Sequence, residues 1–147
     1  MRKQFVLIAS LLALSTPAVF GQAKDALYKS LGGKKAIVAV VDLFVGNVAA
    51  DAKINAFFKA DVADPKKLAK FKTNLVNQIC EAAGGPCKYT GKTMKAAHMG
   101  MGVSTADFNA LVGDLVAALD KAGVKPADKN ALLGVLGPMK SDIVEKP

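Results

Sequence analysis

Gly84-Gly85-Pro86-Cys87-Lys88-Tyr89-Thr90-Gly91, followed by Met94-Lys95-Ala96-Ala97-His98, is the stretch on which the reading of this chain turns. It contains the single histidine of the 147 residues. Gly-Gly-Pro and Tyr-Thr-Gly are poor helix sequences and good irregular connections. The pattern predicts a long helix that stops, a loop, and a short helical turn presenting one imidazole. A neutral imidazole is a common ligand of metal and haem iron near neutral pH. A lone histidine is by default more often structural than a ligand, so the rest of the chain has to decide.

Upstream, Asp64-Pro65 reads as a helix start, an N-cap acid before a proline at the first helical position. Leu68, Phe71, Leu75 and Ile79 then fall on one helical face, over a predicted helix 65–82. Before it, residues 34–50 carry Ile37, Val38, Val40, Val41, Phe44, Val45 and Val48. The valines suit a strand, but the length and the placement of Asp42 and Asn47 favour a mostly buried helix. Lys24 to Leu31 is a short amphipathic piece ended by Gly32-Gly33, and Asp51 to Lys59 is a second short piece with Phe57-Phe58.

Downstream of His98, Gly100 and Gly102 release the chain. Ser104-Thr105-Ala106-Asp107 resembles a capping box and opens a helix over 104–122 with Phe108, Leu111, Val112, Leu115, Val116 and Leu119 on one stripe. Pro126 opens the last helix, 126–144, which Pro138 should kink. Four main helices suit two packed layers. Periodicity says helical and compact, and it does not say what is bound.

The chain is 52% hydrophobic and 6% aromatic, without tryptophan, and fits a single domain. Its formal charge is +8, of which Arg2 and Lys3 carry two, leaving +6 for the remainder. The lysines are spread along the chain without aromatic interleaving, which argues against nucleic acid. Residues 1–23 read as a secretory signal peptide: Arg2-Lys3, then Phe5 to Leu14, then small residues up to a cleavage site around Gly21-Gln22. The apolar run is too short to span a bilayer. The expectation is a domain over 24–147 that is periplasmic or exported, with no stable membrane insertion after cleavage. Cys80 and Cys87 flank Gly84-Gly85-Pro86 and in an oxidising compartment could pair. A bridge there would pin the end of one helix to the loop leading to His98.

The motif GGPxxYTGxxMxxxH resembles the proximal stretch of the group I (N-type) truncated haemoglobins. The resemblance extends over roughly 26–144 through Leu27-Tyr28, Gly32-Gly33, Asp42 with Phe44, Phe57-Phe58, Met101-Gly102-Val103, Phe108 and Gly137-Pro138. It implies an all-α, two-over-two helical sandwich around a non-covalent haem b (iron protoporphyrin IX). It makes His98 the iron ligand and Phe58 the residue stacked on haem. Phe71, Leu75, Ile79 and Val45 belong to the distal side by the same resemblance, and Met94, Ala97, Val103 and Phe108 to the proximal side. Tyr89, Lys72 and Lys92 become candidates for the propionate edge. The implied function is reversible binding of oxygen, nitric oxide or carbon monoxide, with an unknown redox partner and a monomer or weak dimer. A haem-based redox or peroxidase-like electron-transfer protein is the alternative. No CxxCH sequence supports covalent attachment.

One departure bears on function. Family members usually carry tyrosine just after the phenylalanine of the second helix, and here Phe44 is followed by Val45. The distal helix also looks apolar, with Asn74 and Gln78 the nearest polar residues and both off the main stripe. A hydrogen bond to a partly charged ligand is worth roughly 1.5–3 kcal/mol. Weak oxygen retention and inefficient nitric oxide dioxygenation are therefore expected. No nucleophile-base pair, carboxylate cluster or phosphate loop is apparent, and the remaining reading is a cationic helical binding module.

Overall fold

A computed structural model describes residues 23–147. The targeting segment expected over residues 1–23 falls, apart from Ala23, outside them. The elements in chain order are α1 (Ala26–Ser30), α2 (Gly33–Ala50), α3 (Asn55–Val62), α4 (Pro65–Ala82), α5 (Met94–His98), α6 (Thr105–Lys121), α7 (Pro126–Leu136), a 3-10 turn at Gly137–Met139, and α8 (Lys140–Ile143). No strand occurs among the described residues. No helix there is long and apolar enough to cross a membrane.

The valine-rich segment is a helix because its buried positions recur at helical spacing: Ile37, Val40, Val41, Phe44, Val45 and Val48. Alternation at every second residue, which a strand would need, is absent. α2 packs on both α4 and α6, α4 also meets α7, and α3 packs on α2 and α4. Two helices lie over two, as expected from the sequence. At the centre, Val41, Val48, Ile54, Cys80, Leu119 and Leu132 are fully buried. Each such aliphatic side chain contributes roughly 1.5–3 kcal/mol on burial. The Lys72–Asp42 pair between α4 and α2 and the Lys129–Asp120 pair between α7 and α6 are partly exposed. Pairs of that kind contribute about 0–1 kcal/mol each. The apolar seam, not the ion pairs, holds the layers together.

The helix ends follow the sequence signals. The Asp64 side chain accepts from the N–H groups of Lys66 and Lys67, with Pro65 at the first helical position. Ser104 and Asp107 exchange the two hydrogen bonds of a capping box. The last helix does not merely bend at Pro138. It is divided into α7, the 3-10 turn and α8, because proline cannot donate the helical hydrogen bond.

Candidate functional site

The loop after α4 is built in three steps. First, the helix closes in a Schellman motif: Gly84 N–H donates to Glu81 C=O at 3.0 Å, and Gly85 N–H to Cys80 C=O at 2.7 Å. Gly84 takes φ +84°, the left-handed region that favours glycine. Second, Cys80 and Cys87 are joined as a disulfide. Third, Glu81 reaches across the turn. One carboxylate oxygen accepts from Tyr89 N–H at 3.0 Å, and the other faces Lys88 Nζ at 3.3 Å. These contacts, the Tyr89 amide first, hold the Glu81 carboxyl below its ordinary pKa.

Tyr89 then folds over Gly91. A Cβ on that glycine would collide with the tyrosine ring, so the Tyr-Thr-Gly pattern is a packing requirement. The Tyr89 hydroxyl donates to Lys92 C=O at 2.7 Å, and burial raises its pKa. Thr93 caps α5 by accepting from Ala96 N–H. The chain is thereby delivered to the five-residue turn that carries His98.

His98 is half-buried, and its Nδ1 lies 2.7 Å from Met94 C=O. A carbonyl only accepts, so Nδ1 must carry the proton. In the neutral ring Nε2 is then left with an available lone pair. That is the tautomer a metal-ligating imidazole needs, fixed by a partner one turn away.

Gln78 of α4 reaches Met94, one turn before His98. The Gln78 Nε2 lies 3.2 Å from Met94 Sδ and 3.4 Å from Met139 Sδ. Gln78 shares a helical face with Leu75 and Phe71 (positions i, i−3 and i−7). The Gln78 end of this strip is therefore turned toward α5. Phe71 meets Phe58 with ring centroids 5.6 Å apart and planes tilted by 43°. Phe58, Phe71, Leu75, Met94, Ala97 and Phe108 are all only half-buried. The deeply buried side of α4 is different: Val76, Ile79 and Cys80. Ile79 stands in the core beside Ile37, Val40, Leu119 and Leu132. Val45 at 6% and Val103 at 7% exposure are also buried.

The polar candidates are engaged locally. Lys72 Nζ donates to Asp42 Oδ1 at 2.9 Å, and Tyr89 is committed to Lys92. Among the described residues the Lys92 ammonium makes no ion pair. Lys140 Nζ lies 5.9 Å from the centroid of Phe108. Two residues were not foreseen at the site. Met139 reaches it through the break that Pro138 makes after α7. Glu145 accepts from the N–H groups of Gly100 and Gly102, just beyond His98, at 2.6 and 2.5 Å. These amides first, and then Lys146, hold the Glu145 carboxyl below its ordinary pKa. Nothing in the spacing along the chain announces that contact.

A donor set of one pre-oriented imidazole, with apolar faces on α3, α4 and α6, fits a flat apolar macrocycle with a single axial protein ligand. No three His, Cys, Asp or Glu side chains gather into a cluster among the described residues.

Residues 26–145 match the bacterial-like globin family. The chain belongs to the group 1 truncated haemoglobins. It is 33% identical over 127 residues to the group 1 truncated hemoglobin GlbN of Mycolicibacterium paratuberculosis, covering 86% of this chain and 90% of that one. The Fe(III) truncated hemoglobin of Tetrahymena pyriformis superposes with a TM-score of 0.74 at 32% identity, covering 82% of this chain and 98% of that one. The 2/2 hemoglobin of Synechococcus, solved in the cyanomet state with covalently attached heme, gives 0.72 at 28% identity with the same coverage. Membership of this globin family carries haem-based binding of diatomic ligands, and the two-over-two fold is that of its solved members.

Proposed function

We propose that this truncated haemoglobin holds haem b non-covalently through His98 Nε2 and reversibly binds oxygen and other diatomic ligands outside the cytoplasm. The observation that carries the reading is the His98 Nδ1–Met94 carbonyl bond, which leaves Nε2 available to iron. Bound haem supplies the iron at which a diatomic ligand is taken up. The chain's own residues do the rest. Phe58 and Phe71 offer ring faces, Leu75 and Val45 keep the distal side apolar, and Met94, Val103 and Phe108 pack the proximal side. Tyr89, Lys72 and Lys92 are assigned to the propionate edge, and of the two lysines Lys92 is the one without an ion pair among the described residues. An apolar site excludes water, which favours reversible binding over oxidation of the iron.

With Val45 in place of the family's tyrosine, the distal side lacks that hydroxyl. Gln78, on the same strip as Phe71 and Leu75, has its amide engaged with the Met94 and Met139 sulfurs. Weak retention of oxygen follows. Polar distal groups, which a peroxidase-like role would favour, are not supplied by Val45, Phe71 or Leu75. The Cys80–Cys87 disulfide and the signal-like leader together support an oxidising, exported location.

The test is absorption spectroscopy of the purified protein with haem added, in the ferrous and ferrous carbon monoxide forms, for wild type and His98→Ala. A histidine-ligated spectrum in wild type that is lost or altered in the variant is expected. Absence of haem uptake by wild type would defeat the reading and leave a globin fold used as a helical binding module.

A further inference from the structure

The segment that presents His98 is held from outside itself, by packing on α8 at the C-terminal end of the chain. α5 has five residues, none of them buried. A helix that short has no stability of its own in water. Its N-terminal end is fixed by the Thr93 cap and the Tyr89 loop. Its C-terminal end runs straight into Met99, Gly100, Met101 and Gly102, where Met99 is 68% and Met101 37% exposed. Gly100 and Gly102 adopt φ +79° and +67°, a conformation that directs both of their N–H groups toward one acceptor. That acceptor is Glu145, with one carboxylate oxygen for each amide, at 2.6 and 2.5 Å.

Glu145 is itself anchored. Its N–H and that of Lys146 donate to Val103 C=O at 2.8 and 3.1 Å, and Thr105 N–H donates to Lys146 C=O at 3.0 Å. Ile143, just before it, is 7% exposed and forms part of the buried set. A charged acceptor on a fixed backbone therefore grips the loop two and four residues after His98. Charge-assisted bonds of this kind are about twice as strong as neutral ones.

We propose that Glu145 is a positioning residue for His98: by clamping the Gly100 and Gly102 amides it fixes where the imidazole Nε2 stands relative to haem. The inference rests on the haem reading above and extends it to a residue 47 positions away in sequence.

The test uses the full haem-loaded protein with Glu145→Ala, Glu145→Gln and, as a control for a merely structural disturbance nearby, Ser104→Ala. Three quantities are read: amide hydrogen exchange at Gly100 and Gly102, the ferrous iron–histidine stretching band, and haem loss to a scavenger globin. Glu145→Ala should speed exchange at both glycines, shift or split the band, and raise the haem loss rate about tenfold, the usual scale for an outer-shell partner of a metal ligand. Glu145→Gln keeps one acceptor oxygen and should fall between. Ser104→Ala should leave the band in place. Faster glycine exchange with an unchanged band and unchanged haem loss would overturn the proposal and make Glu145 a loop clamp only. Unchanged exchange would overturn the clamp itself. A wild type that takes up no haem would instead defeat the haem reading, and this inference with it.

Discussion

Cys80 and Cys87 are joined across the turn that ends α4, with Cα atoms 5.7 Å apart. The bridge ties the fully buried end of the helix to the loop that leads to His98. Closing so short a loop removes chain entropy worth about 2.5 kcal/mol from the unfolded state on the entropy model. Cys80→Ala/Cys87→Ala should lower the unfolding free energy by about that amount or less in denaturant titration. Haem loss measured on the same double variant tests whether the bridge also tunes the pocket. Equal haem loss and equal ligand kinetics would confine the disulfide to stability.

Gly85 sits where three parts of the chain converge. A Cβ there would stand 2.5 Å from the Tyr28 ring and 2.7 Å from Cys80 Sγ. Both neighbours are held, Tyr28 by its N–H bond to Ala83 C=O and Cys80 by the disulfide. Gly85→Ala should therefore destabilise by about 1–3 kcal/mol, the usual range for overpacking. Thermal unfolding of the purified variant checks this. An unchanged melting temperature would mean that α1 moves aside without penalty.

Val45→Tyr restores a hydroxyl to the second helix at the position where the family usually carries one. A hydrogen bond to a polarised ligand is worth roughly 1.5–3 kcal/mol. Oxygen dissociation should slow about ten- to a hundredfold, measured by stopped flow on the ferrous form. Val45 is only 6% exposed, so some stability will be lost to the larger side chain. A dissociation rate that does not slow would mean that the residue at 45 does not face the ligand.

Asp114 has a buried carboxylate oxygen without a hydrogen-bond partner among the described residues. Burial raises its pKa, Asp51 adds to the rise and Lys53 opposes it. An acid whose pKa is raised on folding holds its proton in the native state after the unfolded chain has lost it. Stability therefore falls as pH rises from about 3.9 through the raised native value, and the loss persists at neutral pH. Asp114→Asn has no charge to bury. It should melt higher than wild type at pH 7 and no higher at about pH 3, below the ordinary carboxyl value. An identical difference at both pH values would rule out ionisation as the cause.

Much of the fold was legible because its signals are local. Asp64-Pro65, the Ser104–Asp107 box, Gly84-Gly85 and Pro138 act within a turn of themselves, so their placement is dictated by backbone geometry. The valine-rich α2 was legible too, since burial at helical spacing outweighs the weak β preference of valine. The depth of burial was less so. Leu68, Phe71, Leu75 and Ile79 form one apolar face in sequence, yet Val76, Ile79 and Cys80 are the ones sealed in the core. Which part of an apolar stripe is covered depends on what packs against it, and periodicity alone carries no information about the partner.

By itself the sequence determined an all-helical chain, the ends of its helices, and the single imidazole that the Gly-Gly-Pro and Tyr-Thr-Gly loop delivers. Those follow from short-range sterics and from the one histidine present. Only the tertiary structure decided that Gln78 turns to Met94 and Met139, that Lys72 is paired with Asp42, and that Glu145 grips the glycines beyond His98. Each of these joins residues distant along the chain. Such contacts are fixed by how the helices cross and how the chain after Pro138 returns, and a side chain's own neighbours in sequence cannot specify them.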